Sequence, residues 1–150
     1  GYNDNFDLQS SHVLPALINK FHNAKISKND FVTIWGSGKP LREFLFVDDL
    51  SSAIRFVLEN IEAENIYSLG ISHLNIGSSI EISIKDLSLL VSNIVGFNGS
   101  IKYDNSKPDG TPRKLMDNAR INKLGWHSTT DLQEGISKTY NWYKNYVCLQ

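Results

Sequence analysis

The stretch Trp35–Asp49 (WGSGKPLREFLFVDD) restricts the fold more than any other part of the chain, because it specifies a turn, its flanking strands and the start of a helix. Phe31–Trp35 is a β-branched and aromatic run and Phe44–Val47 a second apolar run, residue types that suit a pleated, half-buried surface. Gly36, Ser37, Gly38 and Pro40 supply turn chemistry between them. Asp48 precedes the apolar-periodic positions Leu50, Ala53, Ile54, Val57 and Leu58, so its carboxylate is placed to cap a first helical turn. The expectation is a hairpin followed by a helix.

Arg42 is a fixed cation in a run that is otherwise turning inward, where an unpaired charge is costly to bury. It needs a partner. Either a neighbouring carboxylate such as Glu43 or Asp48 serves, or an external anion such as a phosphate, which suits the guanidinium fork.

Around this stretch the pattern is that of one α/β unit over residues 1–150. Gly1–Gln9 is polar and reads as a loop; no start methionine precedes it, and the chain looks cut from something longer. Ser10 and Ser11 can cap a helix over about residues 12–24, with Pro15 in its first turn and Val13, Ala16, Leu17, Phe21 and Ala24 inward. His73–Gly77 reads as a short strand after an irregular segment. Ser83 with Asp86 opens a helix that Gly96 ends. Ser100–Asp104 is a strand, the two prolines and the glycine of residues 105–114 make a loop, and Asn118–Leu124 is a short helix. Thr130 with Gln133 forms a capping box for a last helix to about Tyr146, with Leu132, Ile136, Thr139, Tyr140 and Tyr143 inward.

With 150 residues, 41% hydrophobic and 21% charged, one core is the natural outcome. A net charge of −1 and scattered lysines argue against a nucleic-acid surface. The apolar runs are too short to span a bilayer and the N-terminus is polar, so neither a membrane helix nor a signal peptide is expected, and the default compartment is the cytoplasm. The single cysteine, Cys148, fits a reducing compartment, and His22, His73 and His127 have no metal-ligand spacing. Tyr103 and Lys107, like Tyr140 and Lys144, stand four apart, but one pair runs from a strand into a loop and the other lies on the C-terminal helix, so both spacings read as coincidence.

Trp-Gly-Ser-Gly, Arg-Glu-Phe and Val-Asp-Asp at residues 35–49 resemble the substrate-domain signature of the extended short-chain dehydrogenase/reductases that act on nucleotide-diphosphate sugars. Ser106-Lys-Pro-Asp-Gly-Thr-Pro-Arg-Lys114 narrows the resemblance to the GDP-L-fucose synthase family. Gly1 with Asp4-Asn5-Phe6, Ser11-His12-Val13, Pro15-Ala16-Leu17, Lys20-Phe21-His22 and Gly125-Trp126 are similar to that family in order and spacing. On composition alone, the Lys107–Lys114 loop would equally be a solvated surface loop.

The resemblance covers essentially the whole chain and implies the C-terminal, substrate-binding part of such an enzyme, a small mixed sheet with helices, the N-terminal Rossmann half being absent. Gly36-Ser37-Gly38 does not replace that half, since Leu41 stands where a dinucleotide fingerprint needs glycine. The implied substrate is GDP-4-keto-6-deoxy-D-mannose, epimerised at C3 and C5 and then reduced at C4 by NADPH, with NADP bound mainly by the other half of a homodimeric enzyme; these 150 residues alone are expected to be inactive. By resemblance His12 is the epimerisation acid and a cofactor contact, Lys20 and Arg42 hold the diphosphate and nucleotide, Trp35 is an aromatic beside them, and Asp109 meets the nucleotide. Read singly, His12 and Lys20 would be helix-surface groups, Trp35 a core aromatic and Asp109 a turn residue. Tyr2, Phe46 and Ser79 depart from the family pattern, Ser79 by replacing a glycine before the next helix.

Overall fold

The computed structural model describes residues 1–68 and 70–148. Strand β1 (Phe31–Trp35) alternates exposed and buried, with Val32 and Ile34 inward and Phe31, Thr33 and Trp35 outward, as a half-buried strand must. Its partner is not the neighbouring apolar run. β1 pairs in parallel with the strand Ser100–Asp104, in the register Phe31↔Ser100 to Trp35↔Asp104. A three-residue strand, β2 (Leu41–Glu43), belongs to a second sheet, between antiparallel Glu81–Ser83 (β3) and parallel Arg113–Lys114. Numbered in chain order, Ser100–Asp104 is β4 and Arg113–Lys114 is β5.

The hairpin expected over residues 31–47 is therefore absent. Gly36 and Gly38 take φ of +80° and +76°, a region glycine enters without steric cost. The carbonyls of Gly38 and Pro40 accept from Lys85 and Ile84, at 2.8 and 3.0 Å. The turn is thus tied to a helix start and not to a returning strand.

Three helices make the main core with β1. Helix α1 (Val13–Ile26) buries Leu17, Ile18, Phe21 and Ala24, and Lys28 ends it at φ +52° while the Asn29 N–H closes on the Ala24 carbonyl. Its N-cap residue is His12, not a serine: Ser10 is bonded to Asp7, and the buried Ser11 hydroxyl has no partner. The helix Ile84–Val95 is capped by Ser83, which accepts from Asp86, and is closed by Gly96 at φ +75°. The last helix, Leu132–Tyr146, is capped by Asp131 accepting from Glu134, at 2.7 Å. The helix begins at Leu132, so Asp131 and not Thr130 holds the cap position, and the Thr130 N–H donates to Asp49, at 3.0 Å. Leu87, Val91, Val95, Ile136 and Tyr140 complete this core.

A smaller cluster of Ala53, Ile121 and Trp126 joins the helix Val47–Asn60 (α2) to the short helix Ala119–Lys123. α2 starts at Val47 after Phe46, so Asp48 lies within its first turn and does not cap it. Ile61–Ile71 holds a short helix at Ala63–Tyr67, α3. Counting on, α4 is Ile84–Val95, α5 is Ala119–Lys123 and α6 is Leu132–Tyr146. His73–Gly77 takes no regular structure and joins no ladder among the described residues. Ser79, in place of the family's glycine, keeps a left-handed φ of +62° and is held by a 2.7 Å bond from its N–H to Glu43 Oε1. No described helix is long and apolar enough to cross a membrane.

Asp49 is the buried charge that fixes α2. Its carboxylate accepts from Thr129 N and Oγ1 and from Thr130 N, at 3.2, 2.9 and 3.0 Å. Burial pushes its pKa up, but the hydrogen bonds from Thr130 and Thr129 outweigh that and leave it below the ordinary aspartate value. A depressed folded-state pKa gives stability that is present above the unfolded value, near pH 4, and lost as pH falls through the folded one. Asp49→Asn is expected to cost about 1.5–3 kcal/mol in urea unfolding at pH 7. The deficit relative to the native protein should shrink as pH falls below the native-state pKa, where the native carboxylate is itself protonated.

Candidate functional site

The parallel β1–β4 pair places Trp35 and Asp104 side by side at its C-terminal end, the edge at which parallel strands characteristically present ligand sites. Strand alternation turns the Trp35 ring outward, and it remains 64% exposed. Lys20, in the middle of α1, reaches over this ring, its Nζ 5.2 Å from the centroid and 3.4 Å from the Thr33 carbonyl. Burial lowers the Lys20 pKa from its ordinary value. Lys107 also places its Nζ near this ring, 5.7 Å from the same centroid.

The loop carrying Lys107 is fastened to the turn after β1. Asp109 accepts from Ser37 N through Oδ1 and from Ser37 Oγ through Oδ2, both at 2.6 Å. The Ser37 hydroxyl and N–H draw its pKa below the ordinary aspartate value. A Cβ on Gly36 would collide with this carboxylate, which gives that glycine a second reason beyond its positive φ. Next to Asp109, Gly110 lies against Arg42, whose Nη2 is 3.7 Å from where a Cβ on Gly110 would stand. Arg42 donates to the Leu41 carbonyl at 2.7 Å. Among the described residues neither Arg42, Lys20 nor Lys107 forms an ion pair with a carboxylate. Glu43, one expected partner of Arg42, accepts instead from the N–H groups of Ser79 and Met116, at 2.7 and 3.0 Å.

Lys20, Trp35, Arg42 and Asp109 thus converge on one place. His12 stands apart at the N-terminus of α1, exposed, eight residues before Lys20 and so about 12 Å along the helix axis. Ser37 and Lys107 escaped the sequence reading: a serine in a Gly-Ser-Gly turn gives no signal of its own, and Lys107 is one of three cations in a loop that also suits solvent. Tyr140 sits in the core with its hydroxyl 3.1 Å from the buried His22, and Lys144 lies over its ring. No group of three potential metal ligands occurs among the described residues.

The arrangement is an aromatic shelf with two ammonium groups near it and Arg42 against the adjoining loop, none of them ion-paired to a carboxylate among the described residues, which suits an anion carrying a planar or sugar group. Residues 1–77 match the model of the NAD dependent epimerase/dehydratase family. The chain belongs to that family. It is 50% identical over 148 residues to GDP-L-fucose synthase 1 of Arabidopsis thaliana, a match covering 99% of this chain and 44% of that protein. It also superposes with a TM-score of 0.89 on a GDP-6-OMe-4-keto-L-xylo-heptose reductase from C. jejuni, at 37% identity, covering 97% of this chain and 51% of that one. A GDP-L-fucose synthetase from Naegleria fowleri, solved bound to NADP, is 28% identical with a TM-score of 0.85, covering 96% of this chain and 43% of that one. The chain therefore spans less than half the length of the curated GDP-L-fucose synthase it matches here.

Gly36→Ala tests the clasp between the loop and the turn. A left-handed alanine costs on the order of 1–2 kcal/mol, and its methyl must displace Asp109. The urea midpoint should fall by more than in Ser37→Ala, which removes the two hydrogen bonds of the hydroxyl, to Asp109 and from Lys39 N, without imposing a left-handed alanine.

Proposed function

We propose that this chain is the nucleotide-sugar-binding part of a GDP-L-fucose synthase, acting on GDP-4-keto-6-deoxy-D-mannose. The observation that carries the proposal is the set of unpaired cations around exposed Trp35, at the C-terminal end of a parallel strand pair. Half-identity to a GDP-L-fucose synthase supports the sugar nucleotide. The likeness to a reductase of a GDP-heptose supports the GDP part but allows a different sugar.

In this reading Arg42 and Lys20 hold the diphosphate, the guanidinium as a fork and the ammonium as a point charge. Trp35 lies beside the nucleotide, and Asp109, with acceptor capacity left after its two bonds from Ser37, meets a nucleotide hydroxyl. His12 works at the sugar. The C4 ketone acidifies the protons at C3 and C5, and an imidazole can return a proton to either carbon near neutral pH. NADP would supply the hydride for C4, but the one Gly-rich turn among these strands, Gly36-Ser37-Gly38, leads from β1 to β2 and opens no helix at the phosphate-binding position. The described residues therefore do not fit a pyrophosphate cradle, and no step through the cofactor is assigned to them. We expect the 150 residues alone not to turn over, and the complete protein to be a homodimer in the cytoplasm.

Arg42→Ala in the natural-length protein should weaken GDP binding by about 1.5–3 kcal/mol in calorimetry; an unchanged affinity would remove Arg42 from the diphosphate. His12→Gln should slow exchange of solvent deuterium into C3 and C5, followed by NMR, by roughly 10²–10⁴-fold. Exchange at the native rate would leave His12 a surface group of the first helical turn.

A further inference from the structure

We infer that Lys107 is a third cation of this site, meeting the diphosphate from the loop side, and that Asp104 and Asp109 are the positioning residues that hold it there. The inference rests on the nucleotide-diphosphate reading above.

Lys107 and Lys20 both reach over the Trp35 ring, at 5.7 and 5.2 Å, from separate elements. Two ammonium groups around one exposed ring repel each other, and the ring's quadrupole offsets only part of that. An anion between them removes the conflict. The nearby acidic groups are partly engaged by their own loop, and Asp104 lies close enough for the charge of Lys107 to help lower its pKa. Asp104 Oδ1 accepts from Ser106 N and Oγ, at 3.0 and 2.6 Å, and Asp109 accepts twice from Ser37. Neither forms an ion pair with Lys107.

The backbone around Lys107 is fixed on both sides before any ligand arrives. Its N–H bonds the Asp104 carbonyl at 3.2 Å, Pro108 follows with its restricted φ, and Asp109 is clasped to Ser37. Only the lysine side chain remains to be ordered on binding, which keeps the entropic cost low. Arg42, from β2, lies against Gly110 of the same loop, so a guanidinium borders the loop that carries Lys107, and an extended anion such as a diphosphate can meet more than one cation.

The test is calorimetry on the natural-length protein with GDP, GMP and guanosine as probes. Lys107→Met keeps the apolar stem over Trp35 and removes the charge. It should weaken GDP roughly ten- to hundred-fold, weaken GMP less and leave guanosine unchanged, while Lys107→Arg should restore most of the GDP affinity. If Lys107→Met binds GDP like the native protein while Arg42→Ala does not, the inference is wrong and the diphosphate reading stands. If neither variant weakens GDP, the diphosphate reading fails with it. An equal loss for all three probes would mean that Lys107 merely packs on the ring, and would also overturn the inference.

Discussion

The parallel ladder between β1 and β4 is the constraint on which the site depends. It brings Trp35 level with Asp104 although everything from Gly36 to Gly99 lies between the two strands. A parallel pair cannot be closed by a tight turn, so the intervening chain must cross over and return. Part of that crossing is α4, which packs on α1 and α6 to form the core. The same packing sets α1 behind the sheet, from where Lys20 reaches the end of β1. Loss of this register would separate the α1 cation, the β1 aromatic and the loop after β4 together.

Two aspartates turn that geometry into a charged site by being occupied elsewhere. Asp104 accepts twice from Ser106 through Oδ1, and Asp109 accepts from Ser37 through both oxygens, holding the loop in place. A carboxylate that accepts hydrogen bonds still carries its charge, but it is not in ion-pair contact with the lysines. A chain with a formal charge of −1 can therefore present a locally positive shelf, since recognition follows the local field and not the sum.

Local features were legible in the sequence. The helical spacing of Leu87, Val91 and Val95, the Ser83 cap and the Gly96 stop all stand where the pattern puts them. The alternation of Phe31–Trp35 marks a strand correctly but says nothing about its partner, which is why a hairpin was the natural expectation and a distant parallel partner the outcome. Helix starts slipped by a residue or so for a related reason. Asp49 is close enough in sequence to serve α2, yet it bonds the distant Thr129 and Thr130, and the cap of α6 falls one residue later, on Asp131. For the candidate site, Arg42 stood out by itself as a cation in need of a partner, whereas Lys20, Trp35 and Asp109 were reached through a family resemblance, because nothing in their spacing foretells where they lie in the fold. Ser37 and Lys107 became visible only as contacts.

Two sequence signals remain unanswered within the described residues, and they show what periodicity does and does not mean. α2 has the apolar face its spacing predicts, but only Ala53 of that face is fully buried, while Leu50, Ile54 and Leu58 are 40%, 49% and 80% exposed. His73–Gly77 has strand-like composition but joins no ladder, and it lines an open apolar groove together with Ile54 and Leu58. An apolar stripe states which side of an element is costly to leave in water; it does not state that this stretch of chain provides the cover. The Trp35 end of the molecule differs in kind. There Ser37 and Ser106 hydrogen-bond Asp109 and Asp104, and Lys20 and Lys107 stand near the ring without an ion pair. An uncovered apolar face lowers its free energy against any apolar surface of matching shape, whereas a surplus of fixed cations is satisfied by an anion of matching charge and spacing. The second demand names its ligand far more narrowly than the first names its partner.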